Sequence, residues 1–352
     1  MPANETVRRE SENIKPVVSV IVPARNEQAS LGACLESLVS QAGIDFEIIV
    51  VDDHSTDRTR EIASSLAAAP ESKLRLVEAG PLPAGWTGKN NAIISGVHQA
   101  RGEWLLFTDA DTLHLPGSLA RALEEARENH VDLLSYSPEQ IAVTFWEMAV
   151  LPVVFAELAR QYPPSKVSDP NSPLAAANGQ YLLVKREAYD SVGGHAAIAG
   201  EILEDVALAR AFKAAGRKIR FRYAADAVRT RMYRNWRHLR DGWTKNLALL
   251  FPKPVWLAVK TLLLWLSPLL LVLARGTKYR PWDTAFIVAF IFLAMRLNKA
   301  NFTADMTCLG ALFGMPLFAY LLLRSKRAHA KGSVLWKDRT YSEKGGLLAP
   351  GH

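Results

Sequence analysis

The sequence predicts an α/β fold, a doubly wound and mostly parallel sheet flanked by helices, followed by a separate apolar C-terminal part. Three observations point that way. Short β-branched runs alternate with amphipathic helical stretches from residue 17 to residue 136, the spacing of right-handed strand–helix–strand units. Three of those runs end in polar clusters, and an open parallel sheet gathers its ligands at such strand ends. Apolar residues make up 49% of the 352-residue chain but are unevenly spread, with 1–250 reading as soluble sequence and 255–323 dominated by Leu, Val, Ala and Phe.

Val17 to Pro23 is a β-branched run closed by proline, as expected of a buried parallel strand. Ala24-Arg25-Asn26-Glu27 follows, then a helix over 28–41 with Leu31, Leu35 and Leu38 on one face. A second strand spans 47–51 and runs into Asp52 to Asp57; a second helix covers about 59–68, and Leu74 to Glu78 forms a third strand. Beyond a Gly- and Pro-rich loop at 80–88, a helix over 89–99 leads into a strand over 103–108 that ends on Asp109-Ala110-Asp111. A helix over 119–129 and a strand over 131–136 complete the alternation. Residues 141–159, apolar with Trp146 and Phe155, suit either a helix lying on a bilayer or a core helix.

Three apolar runs close the chain, at 255–274, 284–295 and 306–323, and the first and third approach the ~20 residues of a membrane span. The expected organisation is a polar tail over 1–16, a catalytic domain over 17–250, two or three membrane helices over 251–324 and a basic tail over 325–352. Cationic residues stand on both sides of every run, so charge asymmetry assigns no topology.

The net charge of +7 falls largely in the second half, beside the apolar runs, which favours an anionic membrane surface or a diphosphate over nucleic acid. Residues 213–245 mix cations with Phe221, Tyr223, Tyr233, Trp236 and Trp243; directly before an apolar run, they read as an interfacial belt rather than a single-strand binding face. The polar N-terminus lacks a signal-peptide core, so the soluble part is expected in the cytoplasm, and Cys34 and Cys308 are not expected to pair. The absence of a Gly-x-Gly-x-x-Gly fingerprint argues against a dinucleotide oxidoreductase, and that of a Cys/His cluster against structural zinc. His54, His195 and His238 are isolated and receive no metal role.

Each polar cluster has a plain alternative. Asp52 to Asp57 could be a turn with a helix cap, and Asp57 is a cap in either reading. Asp109 and Asp111 offer the oxygen donors that Mg²⁺ or Mn²⁺ takes alongside substrate phosphates. Gly85 to Asn91 is a glycine-bearing loop feeding a helix, where Lys89 and the first amides could face an anionic donor, or where Lys89 is simply solvated. Glu204 and Asp205 open a helix running to about Ala215. They either compensate its dipole or make Asp205 a general base.

Taken in order, Val20 to Glu27, Val51 to Asp57, Gly88-Lys89, Asp109-Ala110-Asp111, Asn178-Gly179-Gln180 to Gly193-Gly194, and Glu204-Asp205 resemble the inverting family 2 glycosyltransferases over residues 17–250. The resemblance implies a GT-A fold and a UDP-sugar donor. It gives Pro23, Ala24, Arg25, Glu27, Asp52, Asp53 and Lys89 to the nucleotide, Asp109 to the ribose and the metal–diphosphate, and Asp111 to the metal. Asp205, beside Glu204, becomes the base, while Gly179, Gln180, Arg237, Arg240 and Trp243 fall on the acceptor side. Arg231 to Asn246 and the tail Val334 to Arg339 are similar to membrane-attached members that glycosylate hopanoids, carotenoid acids or ceramide. The expectation is transfer of a single sugar to a membrane lipid at the cytoplasmic face. A processive polysaccharide synthase is one rival, disfavoured because Trp243 is displaced from the Gln/Arg-x-x-Arg-Trp pattern. A non-catalytic membrane scaffold is the other.

Overall fold

A computed structural model describes residues 15–275, 307–332, 334–336 and 339–341. In chain order the elements begin β1 (Val18–Ala24), α1 (Leu31–Val39), β2 (Phe46–Asp52), α2 (Thr59–Ala67), β3 (Leu74–Glu78), α3 (Gly88–Gln99) and β4 (Trp104–Phe107). There follow β5 (Thr112–His114), α4 (Ser118–Glu128), β6 (Leu133–Ser137), β7 (Glu139–Gln140), α5 (Phe145–Gln161), α6 (Pro164–Val167), β8 (Leu182–Lys185) and α7 (Arg186–Ser191). The last are α8 (Glu204–Ala214), β9 (Ile219–Tyr223), β10 (Val228–Thr230), α9 (Trp236–Leu250), α10 (Pro254–Arg275), α11 (Thr307–Ala330), β11 (Val334–Trp336) and β12 (Arg339–Tyr341).

The main sheet has seven strands in the order β3-β2-β1-β4-β8-β6-β9. Its neighbours are parallel except for β8, which runs against both β4 and β6. Side chains alternate between two apolar layers. Val18, Val20 and Val22 join Leu31, Leu35 and Leu38 of α1 on one face, while Ile21 joins Ile93 of α3 and Phe212 of α8 on the other. Coverage on both faces is why β1 and β2 are largely apolar, and the polar residues inside them, Ser19 and Glu47, bond each other at 2.7 Å. Helix α3 lies so close to the sheet that a β-carbon at Gly96 would approach Ile21 Cγ2 to 2.7 Å and Val51 Cγ2 to 2.9 Å.

The connection between β1 and β2 leads to one side of the sheet and β4 lies on the other side of β1, so the strand order reverses at β1. The crevice outside that reversal is the natural ligand position in a doubly wound sheet. A small sheet, β5-β10-β7, closes one flank of it.

A third apolar layer is helical. Val150, Leu151 and Val154 of α5 are buried with Leu239 and Leu247 of α9, Leu257 and Ala258 of α10, and Phe318, Leu321 and Leu322 of α11. Residues 145–161 therefore form a core helix over most of their length, although Phe145 and Trp146 at its start are exposed. Thr144 and Glu147 close its N-terminus as a capping box.

Among the described residues no single helix is long and apolar enough to cross a membrane. Trp236–Leu250 and Pro254–Leu266 pass together on length and composition, but they are bent by 111°. The run at 306–323 falls on α11, which spends one face on α5 and α9; the run at 284–295 lies outside the described residues. Helix α11 also continues past residue 324, where the sequence reading begins a tail. Arg324, Lys326 and Arg327 are good helix formers, and Ser325 Oγ donates to Thr244 O (2.7 Å) and accepts from Ala248 N (2.9 Å) of α9.

Candidate active site

One cavity of about 450 Å³ opens at the reversal point, lined by residues from the ends of β1, β2 and β4, the start of α8 and one face of α9. It brings together Asp53, Asp111 and Asp205, which lie on three separate elements of the sequence.

The segment after β1 is fastened to the segment after β2. Arg25 Nη1 donates to the carbonyls of Asp53 (2.6 Å) and His54 (3.2 Å), and Asp53 N donates back to Ala24 O (2.8 Å). Asn26 sits in the left-handed region at φ 51°, which asparagine tolerates, and its Oδ1 accepts from Thr56 N (2.9 Å). Asp57 is not the expected cap of α2, whose N-cap is Arg58; it stands one residue earlier and accepts from Thr59 N (3.0 Å) and from Gln28 N (3.1 Å). Pro23, Ala24, Arg25, Glu27 and Asp53 consequently all line the cavity.

Asp52 does not. It is the last residue of β2, buried beneath the turn, and its Oδ1 accepts from Ser55 N (3.2 Å). Adjacent strand residues face opposite ways, so only one of the two aspartates reaches the cavity.

Helix α3 starts at Gly88 because Thr87 caps it, accepting from Asn90 N (3.2 Å). Asn90 Nδ2 in turn holds the carbonyls of Ile198 and Ala199, both at 2.9 Å, which ties this helix to the loop leading into α8. Lys89 thereby reaches the centre of the site. Its Nζ stands 2.6 Å from Asp109 Oδ1 and 2.6 Å from Glu204 Oε1. Burial alone would lower the pKa of this amine, but the two carboxylates overcome it and hold it well above the ordinary lysine value. Lys89 is therefore a charged bridge between the end of β4 and the start of α8.

Asp205 accepts from Gly179 N (2.9 Å) and, through its other oxygen, from Val206 N (2.8 Å). Glycine at 179 keeps the site uncrowded, since a β-carbon there would stand 3.1 Å from Glu204 Oε1 and 3.2 Å from Lys89 Nζ. Burial and the neighbouring Glu204 charge push the Asp205 carboxyl up to about 6, against the pull of Lys89 and the two amides. Gln180 connects the floor to the small sheet: its Nε2 donates to Thr230 Oγ1 (3.1 Å), which donates to the carbonyl of Asp111 (3.1 Å).

The other end of the cavity is more apolar. Phe155 and Leu158 of α5, Met232 and Tyr233 after β10, and Trp243 and Leu250 of α9 form its wall. Arg231 is fixed to the buried Glu147 at 3.0 Å, which joins this wall to the start of α5. Burial would raise the Glu147 pKa, but Arg231 and the Thr144 cap hold it below the usual carboxylate value.

Arg237 and Arg240 do not take the places expected of them. Arg237 is exposed and Arg240 pairs with Asp241 at 2.8 Å, and neither lines the cavity. The cavity-facing side of α9 carries His238, Gly242, Trp243, Lys245, Asn246 and Leu250, so the expected Trp243 lines the cavity while the two arginines do not. The sequence also gave no role to Arg339, which enters the cavity from β12 and pairs with Asp53.

Among the described residues no group of three or more His, Cys, Asp or Glu side chains is arranged to hold a metal ion. Asp109 and Asp111 together still present hard oxygen donors of the kind Mg²⁺ or Mn²⁺ binds. Asp109 is shared with Lys89, so the two aspartates alone offer fewer donors than a divalent cation takes.

The sequence profile of Glycosyl transferase family 2 matches residues 19–193. The 4,4'-diaponeurosporenoate glycosyltransferase of Staphylococcus aureus (strain USA300) is 28% identical over 349 residues, covering 92% of this chain and 88% of that protein. Among solved structures, mannosyltransferase PcManGT from Pyrobaculum calidifontis, in complex with GDP-Man and Mn²⁺, superposes with a TM-score of 0.51 at 19% identity. That match covers 93% of this chain and 94% of that one, and it shows a GT-A-like fold.

Lys89→Met is expected to lower the unfolding free energy by on the order of 2 kcal/mol at pH 7, the scale of charge-assisted bonds lost from partly buried carboxylates. In urea melts the double variant Lys89→Met/Glu204→Gln should lose less than the sum of the two single changes. Strictly additive losses would show that the two side chains do not bond.

Proposed function

Given that the chain is a glycosyltransferase carrying a Glycosyl transferase family 2 domain, we propose that it moves a single sugar from a nucleoside diphosphate sugar, UDP-hexose, to a membrane lipid, with inversion at the anomeric carbon. The observation that carries this reading is the one cavity holding Asp53, Asp109, Asp111, Lys89 and Asp205 together beside an apolar wall. The loops after β1 and β2, with Asp53, would hold base and ribose. Lys89 and the first amides of α3 would face the diphosphate. The relative named for 4,4'-diaponeurosporenoate supports an apolar acceptor.

In the reaction the acceptor oxygen attacks the anomeric carbon in line with the departing diphosphate. The new carbon–oxygen bond forms as the bond to phosphate breaks, and for a hydroxyl acceptor the proton passes to Asp205. Gly179 N and Val206 N aim that carboxylate, and Glu204 is occupied by Lys89. Asp111 and Asp109 would hold Mg²⁺ or Mn²⁺, which supplies charge neutralisation on the leaving diphosphate.

We place the chain on a membrane at the cytoplasmic face, attached by its C-terminal helical layer. Trp256 (62% exposed), Val255, Leu263 and Leu264 of α10 with Phe313 (60% exposed) and Tyr320 of α11 leave large apolar side chains uncovered. Phe313 also contacts Phe145 of α5, with ring centroids 6.1 Å apart. Nearby cations, Lys253, Lys260, Lys326 and Arg327, suit anionic headgroups.

With a hydroxyl lipid as acceptor, Asp205→Asn should keep UDP affinity and reduce transfer by ~100-fold or more; a variant with full transfer to that lipid would remove Asp205 from the mechanism. A base works only when deprotonated, so transfer to a hydroxyl lipid is low below the Asp205 pKa of about 6 and rises as pH passes through it. A carboxylate lipid brings no proton to remove, and its profile is flat there, so the pH profile separates the two acceptors. Asp111→Ala should abolish Mn²⁺-dependent UDP binding in calorimetry, and an unchanged titration would refute the metal assignment. The pair Trp256→Glu with Phe313→Glu should cut flotation with vesicles containing anionic lipid several-fold, while undiminished flotation would move the attachment elsewhere.

A further inference from the structure

Strands β11 and β12 form an antiparallel hairpin that delivers Arg339 into the donor half of the cavity. The guanidinium engages both oxygens of Asp53, with Nη2 to Oδ1 at 3.0 Å. Both groups are well covered, Arg339 being 14% and Asp53 5% exposed. The guanidinium also lies against Gly88, the first residue of α3, in space that any β-carbon would fill. At its base the hairpin is seated by Val334, buried with Ile202 two residues before Glu204.

This seat is only half favourable to a cation. Asp53 attracts the guanidinium, but the start of α3 carries the partial positive charge and unpaired amides of a helix N-terminus. Lys89, next in sequence, adds a second cation to the same cavity, itself held by Asp109 and Glu204. An anion placed among the helix start, Lys89 and Arg339 would turn these repulsions into attractions. A diphosphate is such an anion, and the planar fork of arginine suits phosphate as well as it suits carboxylate. Asp53, once released, can accept from the N–H or hydroxyl groups of a nucleoside.

We infer that Arg339 is a donor-binding residue that exchanges its Asp53 partner for the diphosphate when a nucleoside diphosphate enters, holding the hairpin over the donor. The inference rests on the nucleotide-sugar reading above. It assigns the tail hairpin to the donor site, whereas the sequence resemblance gave it no role.

The test is calorimetric titration of the full-length protein with UDP and, separately, with uridine, for wild type, Arg339→Ala and Arg339→Lys. Arg339→Ala should weaken UDP tenfold or more and leave uridine unchanged or tighter, since only UDP carries the diphosphate. Arg339→Lys should recover part of the UDP affinity, because an ammonium keeps the charge without the fork. Hydrogen exchange at residues 334–341 in wild type should slow on adding UDP but not uridine. Tighter binding of both ligands by Arg339→Ala would mean that Arg339 only blocks the site, and that overturns the inference. Equal weakening of both, unchanged binding of both, or unchanged exchange overturns it as well. A wild-type protein that binds neither UDP nor GDP instead defeats the nucleotide-sugar reading and takes this inference with it.

Discussion

The site depends on one lysine. Asp109, Asp111, Glu204 and Asp205 face a single cavity, and two like charges ~4 Å apart repel by about 4 kcal/mol at an effective dielectric of ~20. Four carboxylates stay together in such a space only if cations are interleaved with them. Lys89 is placed to do this, 2.6 Å from one oxygen of Asp109 and from one of Glu204. The bridge is also mechanical, because it joins the end of a central strand to the start of a helix almost a hundred residues later in sequence. Asp205 is left outside it, under the influence of the adjacent Glu204, which is part of why its carboxyl holds a proton to about pH 6.

The sheet explains why the remaining pieces meet there. Strands β1, β2 and β4 are adjacent and parallel, so their polar ends emerge side by side. Strand β8 runs the opposite way against β4, which places Gly179 and Gln180 at its start next to the end of β4. The hydrogen bond from Thr108 Oγ1 to Gln180 O, at 2.8 Å, records that closeness. Gly179 then presents its amide to Asp205. Each contribution is small and local, and the order of strands turns them into one pocket.

Much of this was legible in the sequence because apolar runs mark strands and the polar residues after them mark strand ends. The alternation through β6 and the acids at 53, 109 and 111 could be placed that way, whereas Lys89 and Asp205 stand at helix starts and drew their roles from the family resemblance. What could not be read was the direction of side chains in fully buried elements. Phe46–Asp52 is buried at every position, so no pattern of polarity reveals that Asp53 faces the cavity and Asp52 the turn. On α9 the expected residues are Arg237, Arg240 and Trp243, and of these only Trp243 lines the cavity. The arginine pair at 237 and 240 caught the eye, whereas His238, Gly242, Asn246 and Leu250 lie on the cavity-facing side. Arg339 had no local signal, since its partner lies 286 residues earlier.

Hydropathy was the least discriminating guide, and the reason bears on the acceptor. A run such as 306–323 scores alike whether it faces lipid or protein, yet Phe318, Leu321 and Leu322 face α5 and α9 while Phe313 and Tyr320 face outward. The same two helices, α5 and α9, also give the cavity its apolar wall through Phe155, Leu158, Trp243 and Leu250. The uncovered apolar surface and the apolar wall of the cavity are thus built on one packed layer. In the lipid-transfer reading, an apolar chain exchanges one apolar surrounding for another on its way to Asp205. Its transfer free energy from water, about 0.8 kcal/mol for each buried methylene, is then not available to hold it in the cavity. Recognition falls to the polar groups at the junction of wall and acids. Arg231, fixed by Glu147, and Tyr233, packed on Gly242, are polar side chains of that kind lining the cavity.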